Sequence, residues 1–261
     1  MVLNSEFLHG CRMSVIVEPR AAASVILLRD GAEGLELFMI ERNSGLRFAA
    51  GAMVFPGGSL DEGDHAAEWE SLCCGPASDL QYRVAAIRET FEECGILLAR
   101  GVGSEALPDR GAANREGRFA DAVRAAGVEL ATDMLVPFAR WITPEMVRRR
   151  FDTTFFLAPA PLGQEASVDG GEAVAGVWGS PRAMLAAAES GRLRLIFATR
   201  LNLMRLAGCA TVAEALETAH RQPLVPILPR LVETEAGPVF RIPEGVGYAP
   251  TEFAAAQVRL G

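Results

Sequence analysis

The chain is predicted to be an α+β protein in which a mixed β-sheet carries helices on its faces. Three observations lead there: two β-favouring runs open the chain as a hairpin, one strong helical period follows a glycine turn, and further strands precede a helical end. A doubly wound nucleotide fold is disfavoured, because the opening pair is a hairpin and no G-x-G-x-x-G follows a strand. At 261 residues, half of them hydrophobic, one globular unit with insertions can bury a substantial core.

Taken in order, residues Ala22 to Arg29 and Leu35 to Arg42 are the hairpin strands, separated by the turn-rich Asp30-Gly31-Ala32-Glu33-Gly34. Met53-Val54-Phe55 is a short apolar run that Pro56-Gly57-Gly58 should stop in a sharp loop, since proline lacks a backbone donor and glycine tolerates unusual dihedrals. From about Tyr82 to Cys94, the apolar residues Val84, Ile87, Phe91 and Cys94 recur at spacings of three and four, which predicts a helix closed by Gly95. The stretch from Gly101 to Gly127 reads as an excursion with one helical segment around Phe119 to Ala126. Strands are expected at Val136 to Ile142 and Thr154 to Ala158, and helices at Pro181 to Ser190, Thr199 to Ala207 and Val212 to His220. The tail from Pro223 to Tyr248, rich in proline and glycine, is expected to be irregular or edge-strand structure.

The charge balance, 25 basic against 33 acidic residues, argues against a general nucleic-acid surface, which works by neutralising phosphates. Apolar runs such as Val25-Ile26-Leu27-Leu28 are far shorter than the roughly 20 residues that cross a bilayer. No secretory signal is apparent in the first twenty residues, and Met13 offers an alternative start. Five cysteines without a C-x-x-C spacing read as free thiols, so a reducing cytoplasmic setting is expected. The terminal Arg259-Leu260-Gly261 is not an S-K-L type of address.

The segment that carries chemistry is Arg88-Glu89-Thr90-Phe91-Glu92-Glu93-Cys94-Gly95-Ile96. At about 100° per residue, Glu89, Glu92 and Glu93 fall within an arc of about 100°, opposite Val84, Ile87 and Phe91. Like charges so close repel, and a cation would convert that cost into binding. Three carboxylates without a nearby histidine or cysteine suit Mg²⁺ or Mn²⁺ better than zinc. From the helix alone, a solvated acidic face is the simpler reading; the glycine turn and the acids of Phe55-Pro56-Gly57-Gly58-Ser59-Leu60-Asp61-Glu62-Gly63-Asp64 shift that balance.

Together these two pieces resemble the Nudix box, G-x5-E-x7-R-E-U-x-E-E-x-G-U, with Gly58 as its first glycine and Arg88, Glu89, Glu92, Glu93, Gly95 and Ile96 as its second half. Three departures stand out: Asp64 replaces the usual glutamate, Thr90 replaces an aliphatic residue, and the 23 residues His65 to Ile87 fill a space usually taken by seven. An interrupted box is similar to the coenzyme A diphosphatase branch, and Arg47, Gly51 and Phe55-Pro56-Gly57-Gly58 fit its R-x3-G-x3-F-P-G-G signature. Ile40-Glu41-Arg42-Asn43 partly matches that branch's T-x-R-S. Val177-Trp178-Gly179-Ser180-Pro181 and Phe197-Ala198-Thr199 also look similar to it.

The resemblance implies a Nudix-type α/β/α sandwich over residues 20–222, with insertions at about 65–81 and 101–133, and a C-terminal irregular extension, 223–261, packed on it. It implies hydrolysis of a diphosphate in a nucleoside diphosphate linked to another group, with coenzyme A or acyl-coenzyme A as substrate. A diphosphatase for NADH, ADP-ribose or dinucleotides is the nearer rival, and a silent nucleotide-binding module the further one. Glu89, Glu92 and Glu93 are expected to hold Mg²⁺ or Mn²⁺, with Glu89, Arg88 and Glu92 catalytic. Arg42, Arg47, Phe55, Gly57 and Gly58 are expected to bind substrate, the arginines because guanidinium gives bidentate contacts to phosphate. Glu165, Asp169 and Glu172 read as a solvated loop, although the resemblance allows one of them as base or further ligand. Trp141, Phe155 and Phe156 read as core. A monomer or homodimer is expected, with a small nucleotide-type molecule as the partner.

Overall fold

A hairpin that is apolar on both faces of both strands must be covered from two sides, and that requirement organises the fold. In the computed structural model, which describes residues 16–46, 48–75, 78–101, 110, 119–168 and 170–260, the hairpin is β1 (Arg20–Gly31) and β2 (Gly34–Arg42). Short strands β3 (Met53–Val54) and β4 (Gly57–Ser59) follow, then helices α1 (Trp69–Leu72) and α2 (Leu80–Cys94). Strand β5 (Ala99–Arg100), helix α3 (Phe119–Ala126) and strand β6 (Glu129–Leu130) lead into β7 (Val136–Ile142), β8 (Phe151–Pro159) and β9 (Ala173–Gly179). Helices α4 (Pro181–Glu189), α5 (Phe197–Leu206) and α6 (Val212–His220) come next. The chain finishes with β10 (Pro226–Ile227), β11 (Arg230–Thr234), β12 (Gly237–Arg241) and β13 (Glu252–Ala254).

The main sheet runs β10-β7-β8-β1-β2-β3, with β4 pairing β1 and β9 pairing β2. Strand β1 lies antiparallel to β2 but parallel to β8, so the sheet is mixed and the class is α+β, as the sequence predicts. Alternation along β1 sends Ala23, Val25 and Leu27 into one core and Ile26 and Leu28 into the other. The first core is closed by α2 through Val84, Ile87, Phe91 and Cys94; the second is closed by α5 and α6 through Leu201, Leu206, Ala215 and Ala219.

Four details refine the sequence reading. Pro56 does interrupt the chain, but Gly57–Ser59 resumes as a strand, pairing Ala22, Ala23 and Ser24 with Ser59, Gly58 and Gly57. Strand β9 carries a mostly exposed burial pattern, so no alternation announced it; it is held by pairing with β2 from Leu37 to Arg42. The tail takes the edge-strand alternative and goes beyond it: β10 joins the main sheet at its edge, and β11-β12-β13 form a separate three-stranded antiparallel sheet. Helix α3, expected within the excursion, is packed on the first core, because Phe119 meets Phe91 at 6.3 Å and Trp69 at 5.6 Å between ring centroids.

Among the described residues, no helix is long and apolar enough to cross a membrane. Phe91 is 2 % exposed and joins α2 to both the sheet and α3. Phe91→Ala should therefore cost about 3–5 kcal/mol of unfolding free energy, measured by denaturant titration. A cost below 1 kcal/mol would mean that α2 is not anchored there.

Candidate active site

The site begins where β3 ends. Ser24 Oγ and the Val25 amide both donate to the Pro56 carbonyl, at 2.8 and 2.9 Å, and so staple the bend to β1. A Cβ at Gly57 would sit 2.4 Å from the Ala23 carbonyl oxygen, and one at Gly58 would sit 2.5 Å from the Glu89 carboxylate. At Gly57 only glycine lets the backbone pass this close to β1, and at Gly58 a side chain would displace the Glu89 carboxylate from its place.

The close approach delivers α2's carboxylates to the bend. Glu93 Oε2 accepts from the Gly57 amide at 2.8 Å. Its other oxygen is buried with no hydrogen-bond partner and stands 3.6 Å from Arg42 Nη1 at the end of β2. Arg42 Nε is likewise buried and unpaired, while Arg42 Nη2 lies 3.7 Å from Glu172.

Arg88 fixes the rest. Its Nε and Nη2 donate to the two oxygens of Asp64, each at 2.9 Å, in a bidentate pair. Its Nη1 donates to Glu89 at 3.0 Å and to Glu92 at 3.1 Å, and Nη2 also reaches the Ser59 carbonyl. Burial works against the Arg88 charge, but the hydrogen bonds to Asp64 and the charges of Glu89, Asp64 and Glu92 reverse it, holding the guanidinium above its usual range. Asp64 sits in a 3-10 turn, Glu62–His65, where it also accepts from the Asp61 amide. Trp69 Nε1 donates to the Gly63 carbonyl at 2.8 Å, so the insertion within the box buttresses the turn that carries Asp64.

Burial pushes the carboxyls up. Glu89 rises from 4.5 to about 7, the desolvation outweighing the attraction of Arg88 and reinforced by Glu92 and Glu172. Glu93 rises to about 8, from desolvation first and then from Glu89, against the Gly57 amide that favours its charged form. Glu92 also rises, chiefly through burial. Among the described residues, no three acidic, imidazole or thiol side chains stand gathered as a finished cation cage, since Arg88 takes up Glu92 and Gly57 takes up one oxygen of Glu93. The donor set nonetheless fits a hard divalent ion. An unpaired buried carboxylate oxygen on Glu93 and two mutually repelling acids are groups that a cation would satisfy.

Next to these acids lies a cleft of about 300 Å³. Of the residues expected to bind substrate, Arg42, Phe55, Gly57 and Gly58 line it, together with Glu89; Arg47 lies outside the described residues. Glu172 lines it too while its side chain stays 64 % exposed, so the loop is solvated as expected yet tethered at the cleft, where Asn43 holds it through Nδ2 to the Gly171 carbonyl and through its amide to the Glu172 carbonyl. Asp169 lies outside the described residues. Sequence reasoning missed Arg149, Phe151 and Thr153, also on the cleft wall. Arg149 belongs to an Arg148-Arg149-Arg150 run that looks like ordinary surface; Arg150 is buried against the Thr143 and Val17 carbonyls, while Arg149 stays exposed and lies over the Phe151 ring on the cleft wall. Phe155 and Phe156, read as core, are both buried, but strand alternation sends Phe156 into the α2 core and Phe155 into the second core, where it also lines the cleft.

This geometry can be set beside known proteins. The family model described as NUDT19 Nudix domain matches residues 73–206, which include α2 and its glutamates. The chain belongs to the Nudix family. Human acyl-coenzyme A diphosphatase NUDT19 is 29 % identical over 204 residues, covering 58 % of this chain and 54 % of that protein. Putative nudix hydrolase 7 of Caenorhabditis elegans is 30 % identical over 145 residues, covering 53 % of this chain and 43 % of that protein. The chain thus spans about half the length of these two curated relatives. A crystal structure of a Nudix hydrolase from Alicyclobacillus acidocaldarius superimposes with a TM-score of 0.67 at 29 % identity, covering 77 % of this chain and 97 % of that one. The interrupted box therefore sits in a Nudix fold.

Two outcomes follow from the site. Asp64→Asn should cost about 3 kcal/mol of stability by denaturant titration, because it removes the charge that compensates a buried guanidinium. The acids give a pH dependence of defined sign. Glu89 and Glu93 hold protons more tightly folded than unfolded, so their contribution is fully present below about pH 4.5 and is lost as pH rises through 7 to 8. Thermal melts in chelator should show Tm falling across that window. A flat profile would mean that these carboxyls ionise freely.

Proposed function

We propose that this Nudix chain hydrolyses the diphosphate bond of a nucleoside diphosphate linked to a second group, with coenzyme A or acyl-coenzyme A as substrate and 3′,5′-ADP and (acyl-)phosphopantetheine as products. The observation that carries the reading is the apposition of Glu89 and Glu93 to the Gly57-Gly58 bend at the wall of an arginine-bearing cleft. The choice of coenzyme A is supported by the R-x3-G-x3-F-P-G-G signature leading into that bend, and by the activity named for the human relative.

Glu89, Glu92 and Glu93 are the residues that would hold Mg²⁺ or Mn²⁺, the first and last from their place at the bend and Glu92 by its release from Arg88. Such a cation supplies charge neutralisation to a diphosphate and makes water more acidic. The protein's own groups do the rest. Arg42 offers its guanidinium to a phosphate oxygen, and Arg149, also on the cleft wall, adds a second positive charge. The Gly57 amide orients Glu93, and Arg88 orients Glu89. Water attacks phosphorus, the P–O bond to the leaving phosphate breaks, and the water's proton passes to a carboxylate on the cleft wall, Glu89 or Glu172.

The deciding assay is purified protein with Mg²⁺ against coenzyme A, octanoyl-coenzyme A, NADH, ADP-ribose and diadenosine polyphosphates. Coenzyme A and its thioesters are expected to turn over fastest. Preference for NADH or ADP-ribose would reassign the substrate, and thermal stabilisation without turnover would point to a silent binding module. Glu93→Gln should lower kcat roughly 100-fold or more while leaving the melting curve cooperative, since it removes charge and almost no volume. Undiminished turnover in that variant would remove Glu93 from the mechanism.

A further inference from the structure

Beyond the cleft's aromatic wall, Phe151 and Phe155, lies a second hollow of about 80 Å³. The two spaces share Phe48, Phe151, Thr153, Phe155 and Ile196, so they adjoin one another along that wall. The cleft holds Glu89, Asp61 and the glycine bend; the hollow is walled by Trp141, Phe197, Ala198, Pro229 and Leu260. At about 80 Å³ the hollow is well below the roughly 300–1,000 Å³ of an independent ligand site, which makes it an annexe of the cleft.

Its chemistry selects what enters. Trp141 Nε1 already donates to Asn202 at 3.1 Å, and Thr143 Oγ1 already accepts from the Phe151 amide at 3.1 Å. Thr153, the third polar side chain lining it, stands on the shared wall. A nucleobase pushed into this hollow would leave its donor and acceptor edges unpaired, whereas a saturated chain would lose nothing there. The wall is completed from the end of the chain: the Phe197 amide donates to the Arg259 carbonyl at 2.7 Å, which seats Leu260 against the hollow.

We infer that this annexe is a subsite for a saturated apolar chain carried by the substrate at the end remote from the diphosphate, and that the C-terminal segment sets its length. The inference rests on the diphosphatase reading for its substrate, but its test does not depend on turnover. Calorimetric titration in EDTA with coenzyme A and its acetyl, butyryl, hexanoyl and octanoyl thioesters should give a Kd that falls roughly fourfold per added methylene and then levels as the hollow fills. Ala198→Met, which places an adaptable side chain in the hollow, should flatten the series while leaving the Kd for coenzyme A within about twofold. Leu260→Ala, which removes an aliphatic side chain from the wall of the hollow, should shallow it as well. A wild-type series with no chain-length dependence, or variants that keep the wild-type slope, would overturn the subsite. Chain-length-dependent binding with no hydrolysis on adding Mg²⁺ would uphold the subsite and sink the diphosphatase reading; hydrolysis with a flat binding series would do the reverse.

Discussion

The whole site hangs on one buried ion pair. Arg88 leaves α2 in the middle of the helix, grips Asp64 with two hydrogen bonds, and spends its remaining nitrogen on Glu89 and Glu92. A guanidinium this deeply buried is tolerated only because every direction it faces offers an acceptor. The same contacts place the helix against the turn between β4 and α1, and so set the distance between α2 and the glycine bend. Because Asp64 is committed to this pair, its shorter side chain matters less for holding a cation than for drawing its turn close to the helix.

Around that pair the fold stores electrostatic tension. Glu89 and Glu93 are buried beside each other on one turn of helix, with Glu172 adding a third negative charge across the cleft, and burial holds both protons well above the usual carboxylate range. Arg42 relieves part of this, yet one oxygen of Glu93 keeps no hydrogen bond. Such a cluster is poorly suited to stability and well suited to binding positive charge, the compromise expected where chemistry has to happen. The supports are rigid: β1 underlies the bend, β2 carries Arg42, and the insertion inside the box braces Asp64 through Trp69.

The cleft owes its shape to the second core. Strand β8, parallel to β1, presents Phe151, Thr153 and Phe155 to the cleft while Phe156 faces the other way into the α2 core. Helix α5 and the C-terminal segment then close the far end, Trp141 and Tyr248 both bonding to Asn202 beneath it.

By itself the sequence determined the hairpin, the long helix, the helices of the C-terminal half and the acidic triplet with its glycine turn, because each of these is a local pattern of spacing within a few turns or one strand pair. It also pointed to Arg42 and the glycines, although not to why both glycines are needed. Tertiary structure decided what depends on partners far apart in the chain. Strand β9 exists because β2 pairs with it, since its own residues are mostly exposed. Glu172 joins the site because Asn43, 129 residues earlier in sequence than Glu172, holds its loop. Arg149 and Phe151 line the cleft because β8 inserts beside β1, and Asp64 became the partner of Arg88 across a separation of 24 residues. Periodicity registers contacts that a helix or hairpin makes with itself; the energy of a buried charge is set by whatever the remaining chain brings within a few ångströms of it, and no local spacing encodes that.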